Sequence, residues 1–202
     1  MKLYYSPAAC SLAPHIALRE AGLAFGLEKV DLKTKKTERD ADYLRVNPKG
    51  YVPALQFDDG TVLTEIPAIL QWVADEVPEK QLVPAAGTMD RYHMVEWLNF
   101  IATEVHRYMS ALFRPDLPEA TRTWLVETLT RRLDYVQQQL AARPYLTGEH
   151  YTVADGYFFV VLNWARWVKF DLAPWSRIVD LVARVTARPQ VQAALKAEGL
   201  VK

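Results

Sequence analysis

The chain has 202 residues, half of them hydrophobic and 24% charged, and its 24 basic residues balance its 24 acidic residues. This length allows one domain or two small ones, and the composition is that of a globular protein, not a disordered one. A formal net charge of zero argues against a nucleic-acid-binding protein, which carries a basic excess. It also gives no electrostatic attraction to an anionic membrane.

Cys10 is the only cysteine, so an intrachain disulfide and a multi-cysteine zinc site are both excluded. The longest charge-free run, residues 3–18, is shorter than a membrane-spanning helix needs and contains two prolines. The N-terminal sequence does not show a signal-peptide pattern, and we expect a cytoplasmic protein. The four histidines are widely spaced, so no metal site is expected, and G-x-G, Walker A and G-x-S-x-G motifs are absent.

The first third alternates strand and helix signals. A short apolar strand at 2–5 precedes a helix at 11–21, which Gly22 ends, and a second strand follows at 25–32. Strands at 52–57 and 61–64 flank an Asp-Asp-Gly turn, and a helix is predicted at 67–75. A generic α/β sheet fits this order. A thioredoxin-like domain is the more specific interpretation, because a hairpin follows the βα unit.

The remainder is predicted to be entirely helical. Residues 78–88 are rich in Pro and Gly and are read as a linker, which gives domains at 1–77 and 89–202. Helical patterns cover 89–113, 119–142, 154–168, 175–187 and 190–198. In the first of these, steps of three and four place on one face the apolar residues Met94, Leu98, Ile101, Val105, Met109 and Leu112. The fold class is therefore α/β plus all-α, with a helical bundle as the second domain.

Cys10 follows a strand at the start of a helix, where the helix dipole and unpaired N–H groups favour the thiolate. The alternative is a small buried hydrophobic residue. No resolving cysteine follows, since the sequence continues Ser-Leu-Ala. A dithiol oxidoreductase is thereby excluded, and a reaction between one protein thiol and an external thiol remains open.

Two further features lie in the first domain. A cis bond before Pro53 would make a sharp turn and leave the Val52 backbone free to pair with an extended ligand, although an edge-strand proline is the simpler interpretation. Glu65 lies between a strand and a helix N-terminus, where a carboxylate stabilises the helix. Alternatively, Glu65 captures an ammonium while the helix N–H groups capture a carboxylate, which together recognise an amino-acid head group.

Two features lie in the helical domain. Asn99, Thr103 and His106 follow i, i+4, i+7 spacing and form a polar stripe, which is either a solvated face or part of a site. Thr152 and Asp155 fit a capping box that opens a strongly apolar helix, and we interpret this pair as structural.

With these features in place, the sequence resembles the glutathione S-transferases, most closely the bacterial beta class. The resemblance covers essentially the whole chain. It is carried by the motifs MKLYY at 1–5, ACSLAPH at 9–15, NPKG at 47–50, VP at 52–53, LTE at 63–65, EWLNF at 96–100 and TVAD at 152–155.

The resemblance implies a thioredoxin-like domain, a helical domain and a homodimer. It implies that Cys10 lies beside the glutathione sulfur and can form a mixed disulfide with it, and that Lys35 pairs with the glycine-end carboxylate. It also implies that Val52, beside Pro53, pairs with the cysteinyl part, and that Glu65 and Ile66 hold the γ-glutamyl end. Further positions of the helical domain border the same site, some of them from the partner subunit: Asn99, Thr103, Glu104, Val105 and His106.

The resemblance predicts that the enzyme transfers the thiol of glutathione, its co-substrate, to small hydrophobic electrophiles in detoxification. Cys10 and His106 are the candidate catalytic residues, and Phe113, Trp164 and Trp167 are placed in the electrophile pocket. One departure is Ile66, because the family usually has Ser or Gly there. The alternatives are a monothiol glutathione-dependent disulfide reductase or peroxidase, and a non-catalytic scaffold.

Overall fold

The structure is a computed structural model that describes residues 1–201. It divides into two compact units. The first contains Met1–Leu82 together with the segment from Arg188 onwards, and the second is Val83–Ala187. The boundaries predicted from the sequence, 1–77 and 89–202 around a linker at 78–88, stay a prediction. The last helix groups with the first unit through contacts that join residues far apart in the chain.

The first unit is built on a five-stranded mixed sheet. Its strands are β1 (Lys2–Tyr5), β2 (Gly26–Asp31), β3 (Lys36–Thr37), β4 (Ala54–Gln56) and β5 (Val62–Thr64), in the order β3-β2-β1-β4-β5. β1 and β2 are parallel, whereas the other pairs are antiparallel. The β4–β5 hairpin is the one predicted around residues 58–60. This arrangement confirms the thioredoxin-like fold.

The helices of the chain are, in order, α1 (Leu12–Ala21), α2 (Ile66–Asp75), α3 (Met89–Phe100), α4 (Arg107–Ala111), α5 (Glu119–Gln139), α6 (Val153–Leu162), α7 (Ala165–Val168), α8 (Ser176–Thr186) and α9 (Pro189–Ala197). Short 3₁₀ turns occur at Tyr43–Arg45 and Pro78–Lys80. α1 packs against both α2 and α9. As predicted, Gly22 ends α1: its φ is 72°, a left-handed conformation that glycine adopts without steric cost.

The predicted helix at 89–113 is not one continuous α-helix. A π-helical stretch, Ile101–His106, separates α3 from α4. All six residues of the predicted apolar face are buried. The apolar pattern is therefore correct, while the uniform helical geometry is wrong. Such π insertions widen one turn of an α-helix and occur frequently at functional sites.

α6 is the central helix of the second unit, and all ten of its residues are buried. The predicted capping box opens it: Asp155 Oδ2 accepts from the Thr152 N–H at 2.8 Å, and Asp155 Oδ1 accepts from the Leu146 N–H at 2.8 Å. Burial raises the pKa of Asp155 to about 6, although these N–H donors oppose the rise. No helix within residues 1–201 combines the length and apolarity needed to cross a membrane.

Candidate functional site

Cys10 lies in the turn between β1 and α1, with Ser11 at the helix N-cap. Its Sγ–H donates to the Val52 carbonyl oxygen at 3.3 Å, and the Val52–Pro53 peptide bond is cis. The conformation considered for Pro53 is therefore present. Cys10 is partly exposed, whereas Val52 is buried in a core cluster with Tyr4 and Tyr43.

Burial opposes the effect that the helix start has on the pKa of Cys10, and the structure favours the alternative of a buried thiol. Burial of the sulfur raises the pKa of Cys10 to about 12, from an ordinary 9.0. The backbone N–H groups of Cys10 and Ser11 lower this pKa, and the charge of Glu65 raises it further, but desolvation is the largest effect. The N–H groups at the helix start lower the pKa of Cys10 as predicted, but by less than burial raises it. The thiol is therefore neutral at pH 7 and acts as a hydrogen-bond donor.

The loop that carries Cys10 is held by buried polar groups that the sequence reasoning missed. Ser11 Oγ accepts from the Ser6 N–H at 3.1 Å. Glu198, which follows α9, accepts from the Ala8 N–H at 3.0 Å and pairs with His15 at 2.8 Å. The His15 and Glu198 side chains are both fully buried. Because the two Glu198 contacts span more than 180 residues, no local sequence pattern indicates them.

Lys35 follows β2 and adopts a left-handed backbone conformation with φ of 60°. Its Nζ donates to the Gly50 carbonyl oxygen at 2.7 Å. Among residues 1–201 no carboxylate pairs with this ammonium, and a lysine has two further N–H donors. Lys35 therefore offers a positive charge to an anionic group of a ligand.

Glu65 is the N-cap of α2, and its φ of 70° is unusual for a residue with a side chain. Its Oε1 accepts from Lys49 Nζ and, at 3.2 Å, from the hydroxyl of Tyr51. The hydrogen bond from Lys49 is the largest cause that holds the pKa of Glu65 below its usual value. Sequence reasoning missed both partners, although Lys49 lies within the NPKG motif that carries the resemblance.

Ile66, the first residue of α2, has only 5% of its surface exposed. Its side chain is therefore part of the core of the first unit. The structure shows that residue 66 supplies no side-chain hydroxyl at the helix start.

His106 lies at the end of the π-helical stretch, in a cluster of aromatic residues of the second unit. Its Nδ1 is 2.6 Å from the Tyr157 hydroxyl, and its ring lies 5.0 Å from that of Trp164. Burial lowers the pKa of His106 to about 4, so the imidazole is neutral at pH 7. The ring of Phe113 lies 5.9 Å from that of Trp164 and joins the same cluster.

The other predicted residues of the second unit are distributed differently. Asn99 and Thr103 are exposed and joined by a bond from Thr103 Oγ1 to the Asn99 carbonyl at 3.0 Å. Glu104 pairs with Arg132 of α5 at 2.6 Å. Val105 is buried in the core. The stripe of Asn99, Thr103 and His106 thus consists of two exposed residues and one that is half-buried.

Trp167 is separate from the aromatic cluster. It is 45% exposed, and the guanidinium of Arg166 lies 4.4 Å from the centre of its ring. In residues 1–201 no ring contact joins it to Phe113 or Trp164. Within the same described part, no three His, Cys, Asp or Glu side chains are grouped as a metal site requires.

Two family profiles match the chain: "Glutathione S-transferase, N-terminal domain" at residues 8–76 and "Glutathione S-transferase, C-terminal domain" at residues 104–198. The chain belongs to the glutathione S-transferase family. It is 49% identical to the glutathione S-transferase GstA of Escherichia coli O157:H7, over 99% of this chain and 100% of that protein. It is 38% identical to glutathione S-transferase GST-4.5 of Xanthomonas campestris, with the same coverage.

Solved structures agree. A ternary complex of BphK, a bacterial glutathione S-transferase, superposes with a TM-score of 0.97 at 56% identity and covers 99% of this chain and 100% of that one. A sphingomonad glutathione S-transferase complexed with glutathione gives a TM-score of 0.95 at 44% identity, with full coverage of both chains. The protein is therefore a glutathione transferase, which confirms the resemblance stated from the sequence.

Proposed function

We propose that the enzyme conjugates reduced glutathione to small hydrophobic electrophiles. The observation that carries this proposal is that Cys10, Val52 and Glu65 lie close together in the first unit. The thiol contacts the Val52 carbonyl, and the charge of Glu65 is near enough to raise the pKa of the thiol. In this proposal the Cys10 thiol and the Val52 backbone contact the cysteinyl part of glutathione. The Glu65 carboxylate contacts the γ-glutamyl part.

In this mechanism glutathione supplies the nucleophile. Its thiolate attacks an electrophilic carbon, the new carbon–sulfur bond forms, and the leaving group departs with its electron pair. When glutathione binds, the single S–H of Cys10 turns from the Val52 carbonyl oxygen to the glutathione sulfur, and this hydrogen bond favours the thiolate of the ligand over its thiol. Lys35 binds the glycine-end carboxylate, while Val52 beside Pro53 aligns the peptide backbone.

The second unit contributes the remaining residues that we assign to the reaction. Asn99, Thr103, Glu104, Val105 and His106 contribute to glutathione binding, as the resemblance implies. Phe113, Trp164 and Trp167 provide apolar surface for the electrophile. The Nε2 atom of His106 is available to a ligand because Tyr157 engages Nδ1, and its neutral state suits hydrogen bonding more than ion pairing.

Calorimetric titration with reduced glutathione tests the binding step. We expect a Kd between micromolar and low millimolar. No heat at several millimolar would favour the non-catalytic scaffold. Conjugation is then measured with a chromogenic aryl halide, for wild type and for Cys10→Ala.

We expect Cys10→Ala to retain part of the conjugation rate and to lose the mixed disulfide that oxidised glutathione forms with the wild type. That disulfide forms when the Cys10 sulfur attacks the disulfide of oxidised glutathione and releases one glutathione thiolate. Equal loss of both activities would contradict the assignment of the nucleophile to glutathione.

A reductase or peroxidase that uses Cys10 as the attacking thiolate is the alternative. The raised pKa of Cys10 argues against it, because the thiolate is the nucleophile in such reactions. Comparison of conjugation with reduction of a small glutathione mixed disulfide discriminates between the two. Faster reduction than conjugation would favour the reductase.

We also propose a homodimer. A cavity of about 590 Å³ on the second unit is lined by a ring cluster in which Trp97 and Tyr135 stack at 5.9 Å and Phe100 lies 5.5 Å from Tyr135. Tyr135 is 44% exposed. Aromatic side chains of this kind are enriched in the cores of protein interfaces. Light scattering on the wild type and on Tyr135→Glu tests this: we expect a dimer that the variant weakens, and a monomeric wild type would overturn the proposal.

A further inference from the structure

Lys49, Tyr51 and Glu65 form a charged cluster at the start of α2. Lys49 Nζ and the Tyr51 hydroxyl both donate to the same carboxylate oxygen, Oε1 of Glu65. Lys49 Nζ also lies 5.6 Å from the centre of the Tyr51 ring. The Lys49 and Glu65 side chains are 42% and 57% exposed. An ion pair this exposed contributes little to folding stability, so folding alone does not account for the arrangement.

The cluster leaves binding capacity on both charged groups. Glu65 Oε2 has no hydrogen-bond partner among residues 1–201, and Lys49 keeps N–H donors beyond the one that Glu65 accepts. The carboxylate of Glu65 beside the ammonium of Lys49 is complementary in charge to an α-amino-acid head group, which carries an ammonium beside a carboxylate. Charge-assisted hydrogen bonds to such a group are stronger than neutral ones.

Residue 66 provides no side-chain donor at this place. Ile66 has a buried, purely apolar side chain, so it offers no hydroxyl to a carboxylate at the helix start. The backbone N–H groups of the first turn of α2 are the remaining donors, and they carry only partial charges. The ammonium of Lys49 is the nearby full positive charge that can meet a carboxylate beside Glu65.

We propose that Lys49 is a specificity-determining residue that binds the α-carboxylate of the γ-glutamyl end of glutathione. Glu65 binds the ammonium of the same end through Oε2. Tyr51 is a positioning residue that, together with Lys49, fixes Oε1 and thereby orients the carboxylate. This assignment rests on the proposed function, because the ligand is the one proposed there.

A two-by-two comparison of protein and ligand tests the assignment. Wild type and Lys49→Met are titrated calorimetrically with reduced glutathione and with 4-aminobutanoyl-cysteinylglycine, which lacks only the α-carboxylate. We expect Lys49→Met to weaken glutathione binding about tenfold and to change binding of the analogue less than twofold. Lys49→Arg, which keeps the charge, restores most of the affinity.

Lys80→Met is the matched control. Lys80 is an exposed lysine of the same unit whose side chain makes no hydrogen bond or ion pair with residues 1–201. Its removal changes net charge equally, and we expect glutathione affinity within twofold of the wild type. Thermal unfolding of both methionine variants, expected within a few degrees of the wild type, separates a binding effect from a folding defect.

The outcomes are distinguishable. If the wild type binds neither ligand, the proposed function fails, and the Lys49 assignment fails with it. If the wild type binds glutathione but Lys49→Met weakens both ligands equally, weakens neither, or tightens glutathione binding, only the Lys49 assignment is overturned. An effect of Lys80→Met as large as that of Lys49→Met also overturns it, since net charge alone would then explain the loss.

Discussion

The reactivity of Cys10 can be tested by pH and by unfolding. Its pKa is raised from 9.0 to about 12, which lowers the thiolate fraction at neutral pH about a thousandfold. A more basic thiolate is also a better nucleophile, and a Brønsted coefficient of about 0.4–0.5 returns a factor of about 15–30. The net expectation is reaction with a small disulfide about 30- to 60-fold slower than for the same cysteine in the unfolded chain, before any loss of access.

The assay follows release of the chromophore from 4,4′-dithiodipyridine under pseudo-first-order conditions, from pH 6 to pH 10. Because Cys10 is the only cysteine, the whole signal belongs to it, and the same chain in urea is the internal reference. The reaction rate of the folded protein should rise tenfold for each pH unit over this range, without a plateau. A plateau with a midpoint below pH 9, or a folded rate equal to the unfolded one, would refute the desolvation argument.

Three further predictions concern stability in urea. His106 has a folded pKa of about 4, below the ordinary 6.5, so its contribution is present above pH 6.5 and is lost as pH falls. Wild type should therefore lose about 3 kcal/mol between pH 7 and pH 4 relative to His106→Gln, and parallel pH profiles would argue against a buried neutral imidazole. Asp155→Ala leaves two buried N–H donors unpaired and should lower the free energy of unfolding by about 3 kcal/mol. The control Asp180→Ala, at an exposed position, should lower it by less than about 0.5 kcal/mol. Similar losses for the two variants would show that the capping box is dispensable. Ile66→Ser should lower the free energy of unfolding by about 3 kcal/mol and Ile66→Val by about 1, while an unchanged value would place this side chain outside the core.

Local signals predicted most of the fold. Gly22 ends α1 where the sequence indicates, because a left-handed residue is a local requirement of that helix end. The hairpin and the Thr152–Asp155 box were likewise predictable, since a turn or a cap involves residues two to four positions apart. The π-helical stretch was not predictable. Its apolar residues keep the steps of three and four that an α-helix also shows, so the pattern does not distinguish the two geometries.

The candidate site was only partly predictable, because its properties depend on distant contacts. The dipole effect at Cys10 is local and was anticipated, but the larger desolvation effect requires the fold to cover the sulfur. The Glu65 carboxylate was recognised, but its partner Lys49 lies 16 residues away and meets it only after the chain turns back. The buried pair of His15 and Glu198 spans 183 residues and leaves no periodic signal at all.

The charges of the first unit indicate which of its residues bind glutathione and which stabilise the reacting sulfur. Cys10 is neutral at pH 7, while full charges are carried by Lys35, Lys49 and Glu65. If those three residues bind the two ends of glutathione, the strong electrostatic interactions act on parts of the ligand that do not react. They contribute affinity and alignment, which lower the barrier by proximity. Stabilisation of the reacting sulfur is then left to neutral donors such as the Cys10 thiol. It follows that removing a charge should mainly raise KM for glutathione, whereas replacing Cys10 should mainly lower kcat.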